Sequence, residues 1–379
     1  MSQEPTTTES RSAGPPPAAP KAPCRVGWVA AEDTLGQLGP IIQPLAISLM
    51  DELVELHLFC PDSVDTRCVP SPPVEVIRHG WQRRRIFGFG GVEELASKVA
   101  AGKIRLLHAL DVTAAGLARR VAAAAGVGYV VSSFALGDAS RLSRAGRHAR
   151  AVLAASEGIR RELMQGRSLS ADRIYLLRPG VVRVSRPTCF TRPETLPAIV
   201  VGAELEDFGC TDAALEALAD LKARGHACAG FIVGRGKAES RLRAKAGKLG
   251  LAGEISFVET QPPWQMTGIL KAADIYVSPA PTEKVDLQSL LAMAAGVPVL
   301  SVSSPASDFL RDGRTTSQFK QADSPELTMR LLSLLEDHSA ATGLAQNALE
   351  YLGVHHSPVE AAAKTAEVYR RAIAEGAAE

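Results

Sequence analysis

A chain of 379 residues, 46% apolar and 22% charged, is too long for one ordinary core and has the apolar content for two. Its formal charge of +1 hides an asymmetry: residues 1–185 carry 23 Lys+Arg against 17 Asp+Glu and the rest 19 against 24, so the halves are about +6 and −5. A basic excess this small fits phosphates or anionic head groups no better than plain solubility. The six cysteines (Cys24, Cys60, Cys68, Cys189, Cys210, Cys228) show no Cys-x-x-Cys pair and no His at zinc-finger spacing, so neither a disulfide framework nor a metal site is expected.

Residues 1–23, rich in Pro, Ala, Ser and Thr, read as a disordered leader; no apolar run there suits a signal peptide, and none elsewhere would cross a bilayer. The expectation is a cytoplasmic protein with buried thiols. From Arg25 onward, short apolar runs alternate with segments of helical period, the pattern of a parallel sheet with crossover helices. Strands are predicted at 26–30, 54–59, 106–110, 129–133, 152–155 and 174–177. Helices are predicted at 113–125 and 156–165, the second with Ser156 as N-cap. A seam follows at Arg178-Pro179-Gly180 and 185–197, where prolines stand at 179, 187, 193 and 197. Alternation then resumes, with strands at 198–202, 230–233, 255–258, 275–278 and 299–301 and helices at 212–223, 237–249 and 287–295. Ser324 before Pro325 and Ser357 before Pro358 each read as a capping Ser ahead of a Pro at the first helical position. The fold class is therefore α/β, with two Rossmann-like doubly wound domains facing each other across a cleft suited to a large bipartite ligand.

Ordered motifs narrow this further: Gly36-Gln-Leu-Gly39, Leu107-His108-Ala109, Val152 to Glu162, Arg178-Pro-Gly180-Val181, Val201-Gly202, Val233-Gly234-Arg235-Gly236, Ala272 to Pro279, Glu283 to Gly296 with Val297-Pro298, and Asp312-Gly313. In this order and spacing they resemble the family 4 glycosyltransferases, closely from about Gly126 to Tyr369 and more weakly before. The resemblance implies a GT-B architecture with an acceptor-side domain over 24–184, a donor-side domain over 185–357 and a last helix, 358–379, crossing back to the first domain. It implies retaining transfer without a catalytic metal or other cofactor, from a nucleotide-sugar to a glycan or lipid-linked acceptor.

By the same resemblance Glu283 is the acid facing the donor sugar and the candidate catalytic residue. Lys284, Val285, Asp286 and Leu287, with their backbone amides, are candidate donor contacts. Three departures stand out. Leu291 replaces the second acid of the motif, which accepts from the ribose hydroxyls, and Ala203 and Phe208 replace the Arg and Lys that neutralise the diphosphate. Phe134 stands where the family has a His beside the reacting sugar. Charge-assisted hydrogen bonds contribute roughly 1.5–3 kcal/mol each, so these losses remove about 4–9 kcal/mol unless other groups substitute. Lys284 is one substitute. Arg235 and Lys237, flanking Gly236 with Gly234 before it, are others, although all three also read as solvated surface charges.

Gly36 and Gly39 precede a helix reaching Met50, where amides can meet a phosphate and where a tight turn of positive φ equally explains two glycines. His108 is placed to act as a base, but a lone His among leucines is more often a core residue. The run from Arg78 to Phe89 mixes cations with aromatics, which suits an anionic lipid surface as a peripheral membrane contact or an ordinary exposed loop; no nucleic-acid motif accompanies it. Two functions remain in view: a working transferase with a degraded donor site, and a noncatalytic GT-B binding or scaffold protein. A dehydrogenase is disfavoured because no Gly-x-Gly-x-x-Gly follows the first strand.

Overall fold

The computed structural model describes residues 23–80, 89–142, 146–166, 170–192, 194–202, 205, 208–259 and 263–376. In the first lobe these form β1 (Cys24–Val29), α1 (Thr34–Asp51), β2 (Val54–Pro61), β3 (Glu75–His79), α2 (Phe89–Ala101), β4 (Leu106–Ala109), α3 (Ala115–Ala125), β5 (Gly128–Ser133), α4 (Asp138–Arg141), β6 (Ala151–Ala154), α5 (Glu157–Gln165) and β7 (Ile174–Leu176). The second lobe holds β8 (Ala198–Gly202), α6 (Phe208–Ala223), β9 (Ala229–Val233), α7 (Glu239–Lys248), β10 (Ile255–Val258), α8 (Pro263–Lys271), β11 (Ile275–Ser278), α9 (Leu287–Ala294), β12 (Val299–Ser301) and β13 (Ser317–Gln318). Three helices follow: α10 (Ser324–Glu336), α11 (His338–His355) and α12 (Pro358–Glu375).

Each lobe is one parallel sheet, ordered β3-β2-β1-β4-β5-β6-β7 and β10-β9-β8-β11-β12-β13. Strands β4, β5, β6, β11 and β12 are buried along their whole length, as expected when helices cover both faces of a parallel sheet. Strand order reverses between β1 and β4 in the first sheet and between β8 and β11 in the second, so both crevices favoured for ligands open at the carboxyl ends of these strands.

Helix starts follow the capping chemistry in part. Ser156 Oγ accepts from Ile159 N at 3.3 Å and Ser357 Oγ from Glu360 N at 3.4 Å. At α10 the cap is Asp323, whose carboxylate accepts from Glu326 N at 2.9 Å, and the expected Ser324 lies inside the first turn. An ionised carboxylate is the better acceptor for an unpaired helix amide, and Pro325 tolerates the next positions because it has no N–H to satisfy. Gly36 lies in the first turn of α1 and Gly39 in the second, and neither is among the positive-φ glycines, so a tight turn does not explain them.

Helix α12 packs on α1 and reaches β4 and β5. A buried chain of hydrogen bonds fastens it. Trp28 Nε1–H donates to the Tyr369 hydroxyl at 3.0 Å, that hydroxyl bonds His108 Nδ1 at 2.6 Å, and His108 Nε2 bonds Ser132 Oγ at 2.8 Å. His108 is thus a core residue, and burial holds its pKa down to about 3, which leaves it uncharged and unsuited to take up a proton near neutrality. Tyr369→Phe strands the indole N–H and the imidazole nitrogen together, and a loss of about 2 kcal/mol in a denaturant melt is expected, with the far-ultraviolet spectrum unchanged.

His356, 1% exposed at the end of α11, is likewise held at about 4 by burial, with its Nδ1 bonded to Pro179 O at 2.8 Å. Unfolded, both rings titrate near 6.5. The unfolded chain therefore binds protons that the folded chain refuses, so their contribution to stability is complete above pH 6.5 and shrinks as pH falls toward 4. Each ring removes roughly 1 kcal/mol per pH unit in that window, and His356→Gln is expected to flatten the slope of stability against pH between 6 and 4.5.

Candidate functional site

The loop from Pro279 to Asp286 joins β11 to α9 at the switch point of the second sheet, and it carries the residues singled out above. Glu283 and Lys284 are exposed, and among the described residues neither side chain has a hydrogen bond or ion pair. Val285 and Asp286 are buried, and Leu287 is half-buried at the first turn of α9.

Three successive amides where this loop enters α9 are occupied. Val285 N donates to Phe134 O at 2.8 Å, Asp286 N to Ser307 Oγ at 2.9 Å, and Leu287 N to Val285 O at 2.9 Å. A helix start normally offers such amides to an anion. Here the chain's own oxygens satisfy them.

Asp286 carries this further. Its carboxylate accepts from Ser289 N at 2.9 Å, Ser289 Oγ at 2.6 Å and Ser278 Oγ at 2.7 Å, so a negative charge 8% exposed sits at the positive end of α9. Nearby, the buried Tyr276 hydroxyl donates to Gln288 Oε1 at 3.1 Å, and Gly202 leaves it room: a Cβ there would lie 2.0 Å from the hydroxyl oxygen.

The facing crevice of the first lobe is also acidic. Asp111, after β4, accepts from Thr34 Oγ1 at the start of α1, and from Thr113 N at 2.8 Å and Ala114 N at 3.0 Å. Arg235 lies in the turn after β9, whose Gly234 N donates to Val258 O at 3.2 Å. Its guanidinium faces Glu259 at 3.4 Å with both side chains about two-thirds exposed, while Lys237 has interactions of its own. Leu291 is half-buried and packs against the core shared by the lobes, as Phe134 does. Ala203, Glu204, Glu206 and Asp207 lie outside the described residues, as do the side chain of Phe208, most of the leader and residues 81–88 of the basic run.

The lobes also meet at the start of α5. Asp308 Oδ2 accepts from Glu157 N at 3.2 Å, capping α5 from the opposite lobe, and pairs with Arg178 Nη2 at 2.6 Å. Beside it Gly158 lies so close to the Pro305 carbonyl that an added Cβ would stand 1.9 Å from its oxygen. Composition and spacing did not single out Asp308, Gly158 or Asp138, and Asp286 was expected as a donor contact rather than as the cap of α9. The Asp286-x-x-Ser289 spacing is the one local signal that a carboxylate would close the helix start. A cavity of about 260 Å³ lined by Leu218, Cys228, Leu251 and Ile255 opens at the amino ends of β9 and β10, away from the cleft.

Comparison with known proteins agrees with this geometry. The family described as "Glycosyl transferases group 1" matches residues 199–337. D-inositol 3-phosphate glycosyltransferase 2 of Catenulispora acidiphila is 29% identical over 206 residues, 52% of this chain and 48% of that protein. The D-inositol 3-phosphate glycosyltransferase of Nocardia farcinica is 28% identical over 169 residues, 42% of this chain and 37% of that protein. The chain thus spans about half the length, or less, of these curated relatives. Among solved structures, HepE of Anabaena in complex with UDP and glucose superposes with a TM-score of 0.73 at 16% identity, covering 91% of this chain and 99% of that one. A glycosyltransferase of Rickettsia africae gives 0.74 at 13% identity, covering 93% and 99%. Sucrose-phosphate synthase of Thermosynechococcus elongatus gives 0.74 at 15% identity, covering 93% and 100%. The family match falls on the lobe that carries the Glu283 loop, and the two-lobed GT-B fold of these solved structures is shared along nearly the whole chain.

Proposed function

We propose that this protein is a retaining, metal-independent glycosyltransferase that moves a sugar from a nucleotide-sugar to a glycan or lipid-linked acceptor, through a donor site weaker than its relatives possess. Residues 185–357 hold the donor, 24–184 the acceptor, and 358–379 tie the two. The observation that carries this reading is the exposed carboxylate of Glu283, without a hydrogen bond or ion pair among the described residues, in the switch-point loop of the family-matched lobe, whose main chain meets the first lobe. That HepE is solved with UDP-glucose supports the same class of donor.

Glu283 orients the donor sugar and stabilises positive character developing at its reacting carbon. Lys284, the adjacent unpaired cation, reaches the departing phosphate in place of the missing Arg and Lys. Gly234, Arg235 and Gly236 border the nucleotide side, and Gly36 and Gly39, in the first two turns of α1, are further candidate phosphate contacts. The weakness follows from Asp286, Leu291 and the occupied amides of 285–287.

Calorimetric titration with nucleoside diphosphates and their sugars tests this. One nucleotide class is expected to bind saturably with a Kd on the order of 0.1–1 mM, and its sugar form to bind more weakly to Glu283→Ala. Silence across the panel, in a sample that melts cooperatively, sinks the donor assignment and leaves a noncatalytic two-lobed binding protein.

A further inference from the structure

Residues Phe134–Leu136 of the first lobe and Glu283–Val285 of the second run antiparallel and pair by main chain, with Ala135 opposite Lys284. Leu136 N donates to Glu283 O at 2.7 Å, and Val285 N donates to Phe134 O at 2.8 Å. Each side of this bridge is held by its own lobe. Asp138 Oδ2 accepts from Ser133 Oγ at 2.9 Å, Phe134 N at 3.2 Å and Ala135 N at 3.1 Å, and the Glu162 carboxylate accepts from Gly137 N at 2.8 Å. Opposite, Ser304 Oγ donates to Thr282 O at 2.9 Å, and Ser307 Oγ holds Asp286 N. Two short loops, each pinned at its base by buried polar groups, therefore share one strand pairing across the cleft.

We propose that this pairing is a latch: in the ligand-free protein it keeps the lobes closed, and a ligand reaches the Val285 amide only after both hydrogen bonds break. Closure and blockage are then one event, because the N–H and C=O flanking Lys284 serve the opposite lobe before they serve any substrate. Asp138 is a positioning residue for the latch, since it sets the loop that presents Phe134 O and Leu136 N. Protein that is momentarily unlatched is the form that binds, so apparent affinity for any cleft ligand is scaled down by the unlatched fraction. The inference does not depend on which ligand the cleft takes, so it stands or falls apart from the donor assignment.

The test is a cross-link. Ala135 and Lys284 form a non-hydrogen-bonded antiparallel pair, for which Cα atoms lie about 4.5 Å apart, within the roughly 4.4–6.8 Å a disulfide spans. All six native thiols are buried, so Ala135→Cys/Lys284→Cys introduces the accessible pair. Mild oxidation of the folded double variant is expected to close the disulfide nearly completely, seen as a reversible mobility shift on a non-reducing gel and absent from either single variant. Hydrogen exchange of the otherwise unaltered protein is expected to show the Leu136 and Val285 amides slowed about 100-fold relative to free peptide. In Asp138→Ala, exchange at Val285, in the other lobe, is expected to rise at least about tenfold, whereas Asp138→Asn, which keeps an acceptor oxygen, is expected to preserve most of the protection. Thiols at 135 and 284 that label freely yet never pair, or a Val285 amide exchanging at the peptide rate, would overturn the latch.

Discussion

Gly158→Ala is expected to separate the lobes and to lower stability by about 3 kcal/mol, because a methyl group at this position meets a main-chain oxygen at 1.9 Å and neither partner is a flexible side chain. Glu157 N, capped by Asp308 from the far lobe, shares that contact, so relieving the clash also pulls the carboxylate off the start of α5 and loosens its pairing with Arg178. Thermal melting and small-angle scattering read the two effects: an earlier transition and a larger radius. Gly343→Ala, inside α11 with nothing near the added methyl, is the control, and a small gain of up to about 1 kcal/mol is expected there. If Gly158→Ala melts and scatters like the parent, the close approach of α5 to the 305–308 segment does not exist in solution.

Asp286→Asn combined with Leu291→Glu is expected to tighten binding of a nucleoside diphosphate by two to three orders of magnitude. Removing the fixed charge at the start of α9 gives back the attraction of the helix end, about 1–2 kcal/mol in a partly buried setting. An acid at position 291 restores an acceptor for sugar hydroxyls, about 1.5–3 kcal/mol. Together that is about 2.5–5 kcal/mol, or roughly 60- to several-thousand-fold in Kd. Asn preserves the cap, since its side-chain oxygen still accepts from Ser289 N, so folding is expected to survive the first substitution. The calorimetric panel used on the parent protein measures the gain. An unchanged Kd in a folded double variant would mean that Asp286 is not what weakens the site.

Much of this architecture was legible in residue order alone, for a physical reason. Strands buried on both faces, such as β5, β11 and β12, write themselves as short, mostly apolar runs ending in Ser, and the structure places them within a residue or so of the expected bounds. Edge strand β3 did not, since its residues alternate only weakly between buried and exposed. Helix α11 escaped because Asp337, its cap, closes the preceding helix as well, leaving no Gly or Pro to mark a boundary. Of the candidate site, the Glu283 loop stands out in the sequence through its resemblance to the family motif. What surrounds it does not, because Phe134 lies 149 positions from Glu283 and Asp308 lies 151 from Glu157, and no local pattern reports a pairing between loops that distant.

The buried chain from Trp28 through Tyr369 to His108 has a bearing on how the polypeptide reaches its final form. The lobe built first on the ribosome lacks its last core residue until α12 emerges, some 180 residues after β7 is complete. During that interval the Trp28 indole N–H and His108 Nδ1 wait without the hydroxyl that joins them at the centre of a nascent sheet, a condition that favours chaperone engagement over early, autonomous folding. Severing the chain between its halves would therefore not yield two independent modules: the amino-terminal fragment would lack its keystone, and only co-expression with the remainder would restore it.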